Sequence, residues 1–161
     1  NILGPLTNPA EPKYYLLGAF SSSMAKLMAE ALSGMNIKRA FVVHGVNGWD
    51  EPTPAAEFEL FDVRPNQIEH MIRDPKDFGI NRCGEDDLKG GDANQNAEAL
   101  MRVFSKEDQG PHRDSLLLGT GLALEVSGVV SNLKEGIEQA STAIDEGKAS
   151  DMVQSLSGLN E

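Results

Sequence analysis

The first 45 residues show a pattern of apolar and polar positions that predicts a strand, a helix and a second strand. Residues 14–20 form an apolar run rich in aromatic side chains, which is typical of a buried strand. Serines and a glycine bound the following helix, whose apolar face carries Met24, Leu27, Met28, Ala31 and Leu32. Residues 39–45 include β-branched side chains and predict the second strand. A strand, helix and strand within about 30 residues form a βαβ unit, so we expect a parallel sheet with a right-handed crossover.

The rest of the chain predicts a hairpin followed by a series of helices. Residues 57–63 and 67–72 flank the turn-forming Pro65 and Asn66, and we expect them to pair as a hairpin. Helices are predicted over 92–104, over 111–127 with little polar face, from a cap at Ser131 to Gly147, and over 149–156. Two segments are predicted to be connector or irregular structure, 1–13 and 74–84. We therefore predict an α/β fold with a mainly parallel sheet flanked by helices.

Composition and charge narrow the classes of protein that this chain can represent. Its 161 residues are 40% hydrophobic and 24% charged, as expected for one globular domain. The net charge of -11 argues against a nonspecific nucleic-acid or anionic-membrane surface, because such surfaces need excess Lys and Arg. The apolar stretch 116–130 is interrupted by Glu125, so no membrane span is predicted. The single cysteine excludes an internal disulfide framework and suits a reducing compartment, so we expect a cytoplasmic location.

The loop that follows the second predicted strand carries the best candidate for chemistry. Ligands of parallel sheets bind at the carboxyl ends of the strands. Asp50 and Glu51 lie there, and adjacent carboxylates on a glycine-bearing loop can coordinate a hard cation such as Mg²⁺. Successive side chains of an extended loop point in different directions. Two arrangements therefore remain open: one metal bound together with its water shell, or two metals. A solvated acidic loop is the alternative interpretation.

Other chemistry-bearing residues are expected to have structural roles. The segment 89–92 lacks the spacing of a phosphate-binding loop, and Asp92 is expected to cap the following helix in a box with Gln95. His44 is expected to be a packed, hydrogen-bonded histidine at a strand end. His70, His112 and Cys83 are not spaced as metal ligands, and Cys83 does not have the neighbours of a reactive nucleophile. Arg113 is expected at a helix surface or in an ion pair.

Several short segments occur in a fixed order over essentially the whole chain. They are 1–10, 42–45, the pair Asp50 and Glu51, 77–79, 88–92 with Asn96 and Ala97, and Gly110 and Pro111 with Arg113 and Asp114. As an ordered set, they resemble the C-terminal half of anthranilate phosphoribosyltransferase. The resemblance implies the nucleoside phosphorylase/phosphoribosyltransferase-like fold, in which a small helical domain packs on a larger α/β domain and the active site lies between them.

The resemblance also implies an activity. The family joins anthranilate to phosphoribosyl diphosphate in tryptophan biosynthesis, and releases diphosphate and phosphoribosyl anthranilate. Asp50 and Glu51 would bind the Mg²⁺ on the diphosphate, and no protein nucleophile is required. Metal ions neutralise the charge that grows on the leaving group. In the family's pattern an aspartate occupies the position of Asn47. The asparagine of this chain removes one charge beside the pair but leaves the pair intact.

The chain opens in the middle of a pattern, at Asn1 and Ile2, and we expect a fragment. The resemblance implies that residues 1–161 are the C-terminal part of the α/β domain. The family's diphosphate loop, its anthranilate-binding arginine and most of its helical domain, through which it is commonly homodimeric, would then lie upstream. The chain alone is expected to be inactive. Two alternatives stay open: a non-catalytic relative that binds another partner such as nucleic acid, and a phosphorylase or transferase with another acceptor.

Overall fold

A computed structural model describes residues 3–157, apart from the side chain of Leu3. The opening residues Asn1 and Ile2, on which the expectation of a fragment partly rests, lie outside this range. The strands are β1 (Tyr14–Gly18), β2 (Arg39–Gly45), β3 (Phe58–Arg64) and β4 (Gln67–Arg73). The α-helices are α1 (Leu3–Leu6), α2 (Ser22–Ser33), α3 (Ala93–Phe104), α4 (Pro111–Ser127), α5 (Leu133–Asp145) and α6 (Lys148–Ser157). Short 3₁₀ turns lie at Pro75–Phe78 and Glu85–Leu88.

The four strands form one mixed sheet in the order β1-β2-β3-β4. β1 and β2 pair in parallel through α2, which confirms the βαβ unit and the α/β class. The expectation of a mainly parallel sheet is corrected, because β2 with β3 and β3 with β4 pair antiparallel. The hairpin between β3 and β4 turns at Pro65 and Asn66, and Asn66 adopts a φ of 59°. Asparagine tolerates this left-handed conformation, which permits the tight reversal.

Helices cover both faces of the sheet at its central strand β2. Along β2, Ala40 and Val42 face a core built with α2, whereas Phe41 and Val43 face a core built with α4 and α5. The alternation follows from the two-residue period of a strand, and a sheet buried on both faces needs apolar residues at every position. The prediction that α4 is buried holds along the face that packs on the sheet and α5.

Two glycines allow α4 and α5 to pack closely. Gly121 on α4 and Gly136 on α5 are both buried where the helices meet. A Cβ atom added at Gly136 would lie 2.6 Å from the carbonyl oxygen of Gly121. Because both residues lack side chains, the two backbones can pack closely. The stabilisation from this packing outweighs the weak helix propensity of glycine.

Several local predictions are confirmed and others need correction. Asp92 and Gln95 form the expected capping box of α3. The cap of α5 is Asn132 and not Ser131, because the Asn132 side chain accepts a hydrogen bond from the backbone N–H of Glu135 at 3.0 Å. The segment predicted as a connector contains the short helix α1, and the irregular segment contains the first 3₁₀ turn. β1 ends at Gly18 rather than at residue 20, since Ser21 already caps α2.

A network of ion pairs links the sheet to α4. The Arg73 guanidinium donates to both carboxylate oxygens of Glu125, at 2.7 and 3.0 Å. Arg39 makes a similar two-bond pair with Asp62, and its Nη1 also donates to the carbonyl oxygen of Glu125. The hydrogen bond with Asp62 raises the pKa of Arg39 further above its usual range. Glu125 therefore holds α4 against two strands. Among the described helices, none has the length and apolar character needed to cross a membrane.

Candidate functional site

The loop between β2 and β3 carries the predicted acidic pair. Its strand β2 ends at Gly45, next to the end of the parallel strand β1 at Gly18. Asp50 and Glu51 are both exposed there. Within the described part of the chain, neither carboxylate has a hydrogen-bond or ion-pair partner. The fold thus presents two uncompensated carboxylates at the carboxyl edge of the parallel strands, where ligands of such sheets bind.

The backbone of this loop lies directly on two strand-end glycines. A Cβ atom added at Gly18 would overlap the carbonyl oxygen of Asp50. The N–H of Gly45 donates to the carbonyl oxygen of Trp49 at 2.8 Å, and a Cβ atom there would lie 3.1 Å from the Glu51 carbonyl oxygen. These close approaches need residues without side chains. These contacts fix the position of the backbone of Asp50 and Glu51 relative to the ends of β1 and β2.

A cavity of about 830 Å³ opens beside Glu51. One wall is the loop, through Trp49, Glu51 and Thr53. The rest of the lining comes from residues that precede and form α3 and from the first turns of α4. Its polar side chains include Lys89, Asn96, Arg102, His112 and Ser115. This cavity therefore brings two of the ordered sequence segments together, namely Glu51 of the acidic pair and residues 88–91 with Asn96.

Sequence reasoning did not identify the part that Arg102 and Ser115 play in this cavity. The Ser115 hydroxyl is buried and has no hydrogen-bond partner in residues 3–157, so it can bond to a ligand. Arg102 brings a positive charge to the cavity wall. Helical spacing places both residues on helices but gives no indication that these helices face the β2–β3 loop. Only the tertiary arrangement brings them near Glu51.

The acidic pair fits the coordination chemistry of Mg²⁺. Carboxylate oxygens are the ligands that this ion prefers, and Mg²⁺ is commonly held by one or two carboxylates, several waters and substrate phosphates. Within residues 3–157, no group of three or more His, Cys, Asp and Glu is arranged to hold a metal by itself. Two exposed, unpaired carboxylates beside an open cavity fit the pattern in which a substrate supplies further ligands. Asp50 and Glu51 remain the predicted metal ligands.

His44 and His70 occupy structural positions in the described chain, whereas His112 lines the cavity. His44 is buried, and its Nδ1 lies 2.8 Å from the carbonyl oxygen of Ala19. His70 stacks on Phe61 and lies 2.9 Å from a carboxylate oxygen of Glu59. These contacts agree with the expected packed role of His44 and bring none of the three histidines into a metal-ligand cluster.

The remaining candidates also contact structural partners. Arg113 donates to Asp145 and lies buried, so it belongs to an ion pair, one of the two roles expected from the sequence. Burial raises the pKa of the neighbouring Asp114 carboxyl. Burial also raises the pKa of the Cys83 thiol, which disfavours the thiolate that a nucleophile requires. The described residues therefore leave Asp50 and Glu51 as the pair best placed for ligand chemistry.

Comparison with known proteins gives a consistent result. Residues 1–150 match the family model described as the glycosyl transferase family, a/b domain. The anthranilate phosphoribosyltransferase of Desulforamulus reducens is 42% identical over 149 residues, which are 92% of this chain and 43% of that protein. The anthranilate phosphoribosyltransferase of Alkaliphilus metalliredigens is 37% identical over 161 residues, which are 100% of this chain and 47% of that protein.

Solved structures show the same fold. The anthranilate phosphoribosyltransferase from Thermus thermophilus superposes with a TM-score of 0.83 at 34% identity, over 95% of this chain and 45% of that chain. The Saccharomyces cerevisiae enzyme in complex with PRPP and Mg gives 0.83 at 25% identity, over 94% and 44%. The chain spans less than half the length of these relatives. The resemblance stated from the sequence is confirmed, and the chain belongs to the glycosyl transferase family, whose a/b domain model matches residues 1–150.

Proposed function

We propose that this chain is the metal-binding part of an anthranilate phosphoribosyltransferase, which transfers the phosphoribosyl group of phosphoribosyl diphosphate to the amine of anthranilate. The observation that carries the proposal is the unpaired Asp50 and Glu51 at the carboxyl edge of the parallel strands. Relatives that bear this name support the proposal, and one of them is a solved complex with PRPP and Mg. Phosphoribosyl diphosphate and anthranilate are the proposed partners, with a cytoplasmic location.

Asp50 and Glu51 would hold Mg²⁺ at the diphosphate of the substrate. A bound Mg²⁺ neutralises the charge that develops on the leaving diphosphate. The two carboxylates fix its position, because their backbone lies on Gly18 and Gly45. The cavity beside Glu51 gives the substrate access to the pair. No residue of this chain is proposed as a nucleophile, since the amine of the acceptor attacks the anomeric carbon directly.

We further propose that residues beyond this chain complete the active site, and that residues 1–161 alone do not catalyse. The relatives are more than twice as long as their matched segments. The strand β1 supports the idea: it carries apolar Tyr15, Leu16 and Leu17 but no charge, and one of its edges has no strand partner among residues 3–157. Unprotected edges of this kind are normally paired or covered. The missing part would include the helical domain and its dimer contact.

The direct test is a turnover assay. The complete protein is mixed with anthranilate, phosphoribosyl diphosphate and Mg²⁺, and the loss of anthranilate fluorescence is followed. We expect loss of signal that requires all three components, and none with residues 1–161 alone. A well-folded complete protein without turnover would overturn the proposal. Turnover with another aromatic or pyrimidine acceptor would redirect it to a related transferase or phosphorylase.

The close approach at Gly18 gives a prediction about the loop between β2 and β3, residues 46–57, which carries Asp50 and Glu51 and is called the metal loop. Changing Gly18→Ala is expected to lower Mg²⁺-dependent turnover about 10²-fold, because the added methyl displaces the Asp50 backbone and a misplacement of about 1 Å can have an effect of this size. Gly119→Ala is the matched control, since a Cβ atom there meets nothing within 4 Å. Turnover by the Gly18 variant equal to that of the control would show that the loop tolerates displacement.

A further inference from the structure

One contact links the metal loop between β2 and β3 to the 3₁₀ turn Glu85–Leu88, whose last residue lines the cavity. The side-chain amide of Asn47 donates to the Oε1 atom of Glu85 at 2.6 Å. Asn47 lies three residues before Asp50, whereas Glu85 begins the second 3₁₀ turn, directly before the cavity residues Leu88 and Lys89. The acceptor is a carboxylate, and hydrogen bonds to charged acceptors are shorter and stronger than those between neutral groups.

Both ends of this hydrogen bond are held by short local structure. On the loop side, the N–H of Gly48 donates to the carbonyl oxygen of Gly45 at 2.9 Å, and Gly48 adopts a φ of 93°. On the other side, the N–H of Gly84 donates to a carboxylate oxygen of Asp87 at 2.8 Å. Each partner therefore sits on a constrained turn, so a change at Glu85 is transmitted to the loop rather than absorbed by a flexible segment.

The charge of the contact explains why residue 47 is an amide. Glu85 is followed by Asp86, which pairs with Lys89, and by Asp87, so the facing turn carries net negative charge. A carboxylate at position 47 would meet Glu85 at hydrogen-bond distance, and two like charges would push the loop away. The neutral side chain of Asn47, whose N–H groups can donate, removes this repulsion and replaces it with an attraction.

We propose that Glu85 is a positioning residue: through Asn47 it fixes the loop that carries Asp50 and Glu51, and so sets the metal affinity of the pair. The inference rests on the proposed metal-binding function. Glu85 itself does not bind the metal in this proposal. It stabilises the conformation of the loop in which Glu51 lines the cavity and Asp50 directly precedes it. Loss of Glu85 increases the number of loop conformations that metal binding must restrict.

The test measures Mn²⁺ binding as well as turnover in the complete protein. Free Mn²⁺ is followed by electron paramagnetic resonance in the presence of phosphoribosyl diphosphate. Changing Glu85→Ala is expected to raise the Kd for Mn²⁺ about three- to tenfold, the range for loss of one hydrogen bond. Glu85→Gln is the matched control, since it removes the same charge but keeps an oxygen that accepts from Asn47, and it should bind Mn²⁺ nearly as the unaltered protein does.

A reversed pair separates positioning from a general structural effect. Asn47→Asp alone should weaken Mn²⁺ binding at least as much as Glu85→Ala, because it creates the facing carboxylates. Combining Asn47→Asp with Glu85→Gln restores a donor and an acceptor in the opposite order and should recover Mn²⁺ affinity. Unchanged melting temperatures would accompany these changes. Mn²⁺ affinity that does not follow this order of variants would overturn the proposal.

Two outcomes separate the positioning role of Glu85 from the metal-binding role of Asp50 and Glu51. If Asp50→Asn with Glu51→Gln leaves Mn²⁺ binding unchanged, then the acidic pair is not the metal site, and both the proposed function and the role of Glu85 fail. If that double variant loses binding while Glu85→Ala retains it in full, then the metal site stands and only the positioning role of Glu85 is overturned.

Discussion

Replacing Asp50→Asn and Glu51→Gln together in the complete protein is expected to lower Mg²⁺-dependent turnover by about 10²–10³-fold. The substitutions keep the size of both side chains but remove the charge that would hold the metal at the leaving diphosphate, and the loss of such electrostatic stabilisation has effects of this order. The fold should be unaffected, because both carboxylates are exposed and have no partner within residues 3–157. The measurement is initial rate against Mg²⁺ concentration.

The matched control for this double variant is Glu107→Gln with Glu138→Gln. These two carboxylates are exposed, lie outside the acidic pair and the cavity wall, and contribute equally to the net charge. Turnover and Mg²⁺ dependence should stay close to those of the unaltered protein. If the Asp50 and Glu51 variant behaved as the control does, the pair would be a solvated acidic loop, and the metal would have to be bound elsewhere.

Changing Glu125→Ala is expected to reduce the free energy of unfolding by about 3–5 kcal/mol, the usual range when one partner of a buried ion pair is removed. The Glu125 side chain is 5% exposed and receives two hydrogen bonds from Arg73, whose side chain is 15% exposed. Without the carboxylate, Arg73 loses its paired acceptor in a poorly hydrated position. Chemical denaturation followed by circular dichroism measures the difference.

Two further variants show whether burial is the cause. Glu146→Ala breaks the exposed pair with Lys148 and should reduce stability by only about 0–1 kcal/mol. Replacing Glu125 and Arg73 together by methionine removes both charges and should restore much of the loss, because apolar replacements of buried pairs are often neutral. Equal losses for Glu125→Ala and Glu146→Ala would contradict the structural role assigned to Glu125.

Local sequence signals predicted most of the elements but were less reliable at their ends. The serine before α2 and the Asp92–Gln95 capping box are short-range features, and both are found as predicted. The cap of α5 was assigned one residue too early, because Ser131 and Asn132 are both good caps and only the backbone geometry decides between them. The expectation of a mainly parallel sheet was wrong, because the chain reverses direction twice, in the loop between β2 and β3 and in the hairpin between β3 and β4.

Some features of the candidate site were visible in the sequence, and others appear only in the tertiary structure. Adjacent carboxylates after a strand were visible in the sequence, since chain order alone places Asp50 and Glu51 at the end of β2. The cavity was not visible, because Arg102 and Ser115 reach Glu51 only through the packing of α3 and α4. The contact of Asn47 with Glu85 joins residues 38 positions apart, and no periodicity links them.

The sequence by itself determined the α/β class, the family resemblance and the position of the acidic pair, because these depend on apolar periodicity, on turn residues and on the order of short segments. The tertiary structure decided the antiparallel extension of the sheet, the close packing of the loop on Gly18 and Gly45, and the walls of the cavity. These features arise from contacts between distant segments, whose energies depend on shape and burial in three dimensions. Such contacts leave no regular pattern along the chain.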